Sequence, residues 1–476
     1  MTRMPLKIIL LIVIMSLMRN LSVANESADC PIDPQWLFNP VLPNEVKNDL
    51  LSDKTLNFCG FYQFSTRAFL YLMSPTNDNN HRNFLSNTLY PLLESYTDGS
   101  PADSCNDYSD GISIRTSLNK NDLSIKQAGH GSTIYAQDGN VIYYNVRFSK
   151  SLCNLTANAE EMKNQKLNNF PPGSIELKMA WKKLSSDEQS SMRFITQEHS
   201  TEGEIVQLGL VGLHIAIATA DHPEFIWSTF EHTSNSPNCS GSNDTNKWTF
   251  ANEECTQKLP ESAEINNKCS FNQPSNHSLS ITGRPTNICR VYVSGTGLGD
   301  FKDKVNMAII DQQNKELYQL LSSPEVDPRM KPLMNYFNVG AIWATNISKN
   351  SFVENERGSL RLANSVSETD FQNIDIKKQG FVSNCFGCHN FKGTHEAISN
   401  NISSHNLSHI FKEIKIGQGE DIDITAKSII HSDLEAKSIC KNTCESKANY
   451  LTWSGFWNSS NSSAGSVCGC TLMKFN

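Results

Sequence analysis

Beyond its first 18 residues the 476-residue chain has no apolar run approaching the roughly 20 residues that cross a bilayer. No transmembrane span is therefore expected in the mature protein. A block of lysine and arginine is also missing, and the formal net charge is −8. Nucleic acid is accordingly not an expected partner, because phosphate recognition draws on clustered basic side chains. No glycine-rich phosphate loop, serine-centred triad or pair of catalytic carboxylates stands out. Three common routes to an enzyme are thus closed.

The chain does carry an export signature and much cysteine. Arg3 and Lys7 precede an apolar run from Ile8 to Met15 that continues to Leu17 and Met18. Ser22-Val23-Ala24 then supplies small residues where a signal peptidase cuts. Residues 1–24 are expected to be a secretory signal peptide cleaved after Ala24. Fourteen cysteines fit an exported protein, since cytosolic thiols are kept reduced. The expected location is the periplasm, or the secreted and cell-surface space, of a bacterium. Asn-x-Ser/Thr triplets such as Asn154-Leu155-Thr156 are read as composition in that setting.

Residues 385 to 389 read Cys385-Phe386-Gly387-Cys388-His389. In this spacing two thiols on one helical turn add to opposite vinyl groups of haem, while the next imidazole takes the iron. One covalent haem c is predicted, attached at Cys385 and Cys388, with His389 as proximal metal ligand. The rival reading, a disulfide or half a zinc site, needs a second ligand pair at short spacing. The pairs Cys440/Cys444 and Cys468/Cys470 have a better use, given below.

The opposite iron ligand cannot be a methionine downstream of the motif, because Met473 lies in the terminal unit. Candidates are His395, His405 and His409 nearby, or Met330, Met334 and His214 from the larger domain. His405 and His409 are four apart and share a face if helical. His409 precedes Ile410-Phe411, an apolar edge suited to the porphyrin, and is the expected sixth ligand. An open sixth position would instead suit small-molecule binding or peroxidase-like chemistry. His214, in Leu213-His214-Ile215, reads as a hydrogen-bonded core residue. Glu231 and His232, beside Trp227, could form an acid/base pair or an interior hydrogen bond.

At about one domain per 150 residues, the length allows two or three domains. Helical character is read at 45–51 and 67–73, the second ended by Ser74-Pro75. Residues 132–148 read as a hairpin, two β-rich arms joined by Asp138-Gly139. Further strands are expected at 204–219, 225–231, 289–293 and 337–345. Helices are expected at 155–166, 175–184 and 304–321, the last with Val305, Ala308, Ile309 and Leu317 at helical spacing. Residues 233–287, rich in Asn, Ser, Pro and Cys, read as a long insertion held by disulfides. Cys30, Cys59, Cys105, Cys153, Cys239, Cys255, Cys269 and Cys289 form an even set consistent with disulfides of open pairing.

The clearest boundary is the polar step Gly417-Gln418-Gly419-Glu420-Asp421, after a helical 405–414. The unit beyond it, about 55 residues, is too small to be stable without staples. Cys440 and Cys444 are one helical turn apart, and Cys468 and Cys470 share one face of a strand. Two helix-to-strand disulfides follow, in either pairing. The expected fold class is α+β. A large disulfide-containing mixed domain (residues 25–416), with its haem attachment segment at 383–412, is followed by a small α+β domain (residues 422–476).

Two resemblances add to this reading. Gly173-Ser174-Ile175-Glu176-Leu177-Lys178-Met179-Ala180-Trp181, Val211-Gly212-Leu213-His214-Ile215, Phe225-Ile226-Trp227-Ser228-Thr229-Phe230-Glu231-His232 and the attachment motif resemble a family of large bacterial monohaem cytochrome c proteins. That resemblance spans most of residues 30–412 and implies haem binding and electron transfer, with no catalytic residue to carry over. In the terminal unit, Ser432-Asp433-Leu434-Glu435-Ala436, Trp453-Ser454-Gly455-Phe456-Trp457 and Ser466-Val467 resemble mannan-binding lectin modules. The implied sugar site comprises Trp453, Gly455, Trp457, Asn458 and Ser466, aromatic faces for the apolar side of a hexose and polar groups for its hydroxyls. Both tryptophans could equally form the small core. Phe456 and His431 depart from the module's usual Gln-like and Trp residues. The expected protein is an exported monohaem cytochrome, exchanging electrons with a redox partner protein or small molecule while docked on mannose-containing glycan. Its rivals are an open-site haem oxidase or peroxidase targeted to polysaccharide, and a non-redox carbohydrate-binding adhesin with structural haem.

Overall fold

The computed structural model describes residues 30–46, 58–76, 81–85, 89–91, 133–149, 151–152, 170–201, 204–241, 247–259, 269–272, 285–293, 301–344, 356–369, 372, 384–389, 407–408, 422–430, 433–447, 451–459 and 466–472. The signal peptide, the 155–166 helix, the 417–421 boundary, Cys105 and Cys153 lie outside these residues. So do most of the 45–51 and 405–414 helices; Leu407 and Ser408 form no helix, and Glu45 lies in a bend.

The described residues form a mixed α+β structure around a large antiparallel sheet. Its strands are β1 (Leu89–Pro91), β2 (Ile142–Ser149), β3 (Ile175–Lys183), β4 (Thr196–Thr201), β5 (Glu204–Ile217), β6 (Ile226–His232), β7 (Tyr336–Ala344) and β8 (Glu356–Gly358). The order is β1-β2-β3-β5-β6-β7-β8, with β4 paired to the first half of β5. Residues 175–184, expected as a helix, are instead strand β3. Ile175, Leu177, Met179 and Trp181 recur at period two, but the alternate residues are covered as well, so no clean polar face marks the strand.

Alternation along the strands divides the core in two. One face presents Leu177, Met179, Trp181, Leu213, Phe230 and Trp343 to the main core. Helices α1 (Cys59–Met73) and α2 (Phe301–Ser322) cover it. Phe61 of α1 stacks on Trp343 at 3.6 Å, and Phe69 stacks on Phe230 at 4.3 Å. Thr66 Oγ1 donates to Gln313 Oε1 at 3.0 Å, tying the helices together. α1 ends at Ser74 as expected but begins earlier, beside the Cys30–Cys59 disulfide.

The opposite face carries Phe148, Ala216, Trp227 and Ile342, joined by Leu362, Phe386 and Leu407 from later in the chain. Irregular chain covers it. The approach is close enough that a Cβ at Gly340 would lie 2.4 Å from Ser359 Oγ, and one at Gly212 would lie 2.8 Å from Asn364 Oδ1. Glycine is needed at both positions to admit the covering segment.

The 137–140 turn is present: Gly139 has φ +83°, and Tyr135 bridges Val141, although the first arm is no more than this bridge among the described residues. The strand expected at 289–293 is reduced to a single parallel bridge, Asn238 to Arg290. The insertion is held by Cys239–Cys289 and Cys255–Cys269. Arg290 reaches under it to Glu231 at 2.9 Å, where Ser365 Oγ also donates at 2.8 Å.

The terminal residues form a second, three-stranded sheet of order β10-β11-β9: β9 (Ile422–Thr425), β10 (Leu451–Ser459) and β11 (Ser466–Leu472). A helix, Asp433–Lys447, packs on β10 and β11. Of the two pairings left open by the sequence, the structure has Cys440–Cys468 and Cys444–Cys470.

Candidate functional site

Helix α3 (Cys385–Cys388) is a single turn that His389 extends, its N–H donating to the Cys385 carbonyl at 2.7 Å. Residues at i, i+3 and i+4 of such a turn lie on one side, which is the spacing of Cys385, Cys388 and His389. Cys385 is a thiol, not half of a disulfide, and is partly exposed. The turn is fastened at both ends. Before it, Asn384 Nδ2 donates to Glu356 Oε2 at 2.7 Å and to the Leu360 carbonyl at 3.0 Å. After it, the half-buried His389 ring lies 4.7 Å from the Trp227 ring, tilted by 36°. Between them Phe386 is buried in the cluster of Trp227, Leu362 and Leu407, with Cys385 packed at its edge.

Beside this apolar patch the same sheet face is polar. Register aligns Glu176, Ala216 and Trp227 in one row, and Lys178, His214 and Thr229 in the next. Ser408 Oγ donates to Glu176 Oε2 at 2.6 Å. His214 Nε2 lies 2.7 Å from Glu368 Oε1, an ion-pair distance, although the approach is off the hydrogen-bond direction. Burial pushes the Glu368 carboxyl up, but the charge of His214, its contact and Lys178 outweigh burial and hold it below the ordinary value. Asn364 Nδ2 donates to Thr229 Oγ1 at 2.9 Å and to the Phe230 carbonyl at 3.0 Å.

Cys385 and His389 are thus brought onto a preformed wall. His395, His405 and His409 lie outside the described residues, as does the side chain of Cys388. Ser408, next to His409, is tethered to Glu176, two strands from Trp227 in the same row, about 10 Å at ordinary strand spacing. Met330 and Met334 belong to the core on the helix-covered face, across the sheet from His389. His214 shares the Trp227 side and is held by a carboxylate. Glu231 and His232 form no acid/base pair: successive strand residues face opposite ways, Glu231 toward Arg290 and His232 onto Phe194 at 4.1 Å. Asn364, Glu368 and Asn384 were missed by sequence reasoning. Their segments show no periodicity, and the burial of the polar Asn364, Ser365, Ser367 and Thr369 is a signal visible only once folded.

Among the described residues, no three His, Cys, Asp or Glu side chains gather to hold a metal ion. A haem iron draws axial ligands alone from the protein, so its needs are different. A thiol at Cys385, an imidazole at i+4, and an aromatic and aliphatic wall fit that group.

In the terminal unit, β10 pairs Trp453 with Cys470 and Trp457 with Cys468, with an irregularity between the tryptophans. Trp457 packs against the small core containing both disulfides. Ser466 is buried, and its Oγ accepts from Ile430 N–H at 2.7 Å. Gly455 and Asn458 lie on β10, Asn458 opposite Val467. The side chains of Trp453 and Asn458 are outside the described residues.

No protein-family model, curated protein or solved structure matches this chain.

Proposed function

We propose that the chain is an exported monohaem c-type cytochrome that transfers electrons and is docked on mannose-containing glycan by its terminal unit. The observation that carries this reading is the Cys385–Cys388 turn, extended by His389 and seated against Trp227 through Phe386 and His389. Cys385 and Cys388 would hold the haem and His389 its iron, with His409 opposite. When bound, haem supplies one-electron chemistry. Trp227 orients the His389 ring, and Phe386, Leu362 and Leu407 exclude water beside the turn. The disulfides fit an exported protein, and among the described residues no helix is long and apolar enough to cross a membrane. For the glycan part, support comes from the resemblance together with the helix-to-strand staples. The sugar site that the resemblance implies is Trp453, Gly455, Trp457, Asn458 and Ser466, of which Trp457 also packs against the small core.

Protein made with a working cytochrome c maturation system should retain haem in acid-acetone, and complete extraction would overturn covalent attachment. Visible spectra with and without carbon monoxide separate the redox readings. A six-coordinate spectrum indifferent to the gas supports electron transfer. Rapid gas binding supports the second reading, an open-site oxidase or peroxidase, which the His214–Glu368 pair on the same face favours. His409→Ala should turn a low-spin spectrum high-spin; no change would move the ligand to His395, His405 or His214. The oxidised chain should bind mannose-rich oligosaccharide on a glycan array, and binding of none would end the lectin reading.

A further inference from the structure

Arg361 is a cation in the interior, 8% exposed, and its Nη1 finds no hydrogen-bond acceptor. Buried guanidinium donors are ordinarily paired, since neither water nor protein otherwise compensates their lost hydration. Its nearby acid does not fill the gap. Glu356 Oε2 accepts from Asn384 at 2.7 Å. Burial pushes the Glu356 carboxyl up, and the Asn384 hydrogen bond and the Arg361 charge oppose this without overcoming it. The arginine therefore has an unmet demand for an anion.

Its position says which anion. The preceding residue, Leu360, takes a hydrogen bond on its carbonyl from Asn384, the neighbour of Cys385. The following residue, Leu362, packs in the cluster of Phe386 and Trp227. Arg361 is thus flanked on both sides by contacts to the attachment turn. A planar guanidinium is suited to a carboxylate, to which it can donate two parallel hydrogen bonds. Haem carries two such groups as propionates.

We infer that Arg361 is the carboxylate anchor of the site, its Nη1 donor taken by a propionate of the haem attached at Cys385 and Cys388. This rests on the cytochrome reading above. Arg361 would then neutralise a carboxylate at the edge of the haem and raise the positive charge around the site.

The test uses full-length protein matured with haem, comparing the wild type with Arg361→Gln and Arg361→Lys by redox titration across pH. A cation near the iron disfavours its oxidised, more positive form. Arg361→Gln should therefore shift the couple about tenfold toward the oxidised state, with Arg361→Lys falling between. The wild type alone supplies a second reading if the Gln variant does not fold. Resonance Raman bands of a propionate bonded to a guanidinium should shift on exchange into D2O, and bands indifferent to deuteration overturn the inference. Covalent haem whose potential and pH profile are unchanged in folded Arg361→Gln also overturns it, leaving the cytochrome reading intact. Haem that extracts completely from the wild type overturns both.

Discussion

Helices α1 and α2 close one face of the large sheet with stacked rings, Phe61 on Trp343 and Phe69 on Phe230. Irregular segments close the other with directed hydrogen bonds: Asn364 to Thr229, Ser365 to Glu231 and Ser408 to Glu176. Apolar contact is non-directional and gains roughly in proportion to area, whereas a buried polar contact is stabilising only if its geometry is met. The helical face is therefore suited to carrying stability. The covered face is suited to holding groups at defined positions, and it is there that the C-x-x-C-H turn and the His214–Glu368 pair collect.

Truncating a ring on the helical face tests this division most strongly. Trp343→Ala should cost about 3–5 kcal/mol, read from the urea midpoint, because it empties the volume against Phe58, Phe61 and Tyr62. A loss below about 1 kcal/mol would refute the assignment of stability to that face. On the other face, Glu231→Ala should cost on the order of 3 kcal/mol, since it leaves Arg290 buried without its partner and loosens the insertion. Gly212→Ala should cost about 1–3 kcal/mol by displacing Asn364 from Thr229 and Phe230. Combining it with Asn364→Ala should give less than the sum of the single losses, and additivity would show that the close approach is not the cause.

One further effect is confined to acid pH. Burial, assisted by the charges of Arg193 and Arg290, lowers His232 to about 3, while the unfolded imidazole titrates near 6.5. Between these values the unfolded state takes up the proton and the folded state does not. Stability is therefore full above about pH 6.5 and declines as pH falls toward about 3. His232→Asn should flatten that decline in urea titrations at several pH values; an equally steep slope would assign the acid sensitivity to other groups, such as Glu368, whose lowered carboxyl acts in the same direction at lower pH.

Local chemistry made several elements legible from sequence. The 204–219, 225–231 and 337–345 strands and the 304–321 helix are present within a few residues, because long runs with β-rich or helical spacing leave little choice. The Asp138-Gly139 turn follows from glycine's access to positive φ. The sequence also specified the C-x-x-C-H turn and the helix and strand bearing the terminal cysteines. Tertiary structure decided the rest. It made 175–184 a strand, since a segment buried on both sides loses the polar face that reveals its period. It selected Cys440–Cys468 and Cys444–Cys470 over the alternative, because pairing depends on the relative placement of helix and sheet. It turned Trp457 toward the small core, set Trp227 against His389 from more than 100 residues earlier in the chain, and brought Asn364 to Thr229 and Glu368 to His214 across similar distances in sequence. Such contacts depend on strand order and register, which are global properties of the chain and leave no periodic trace in any one stretch of it.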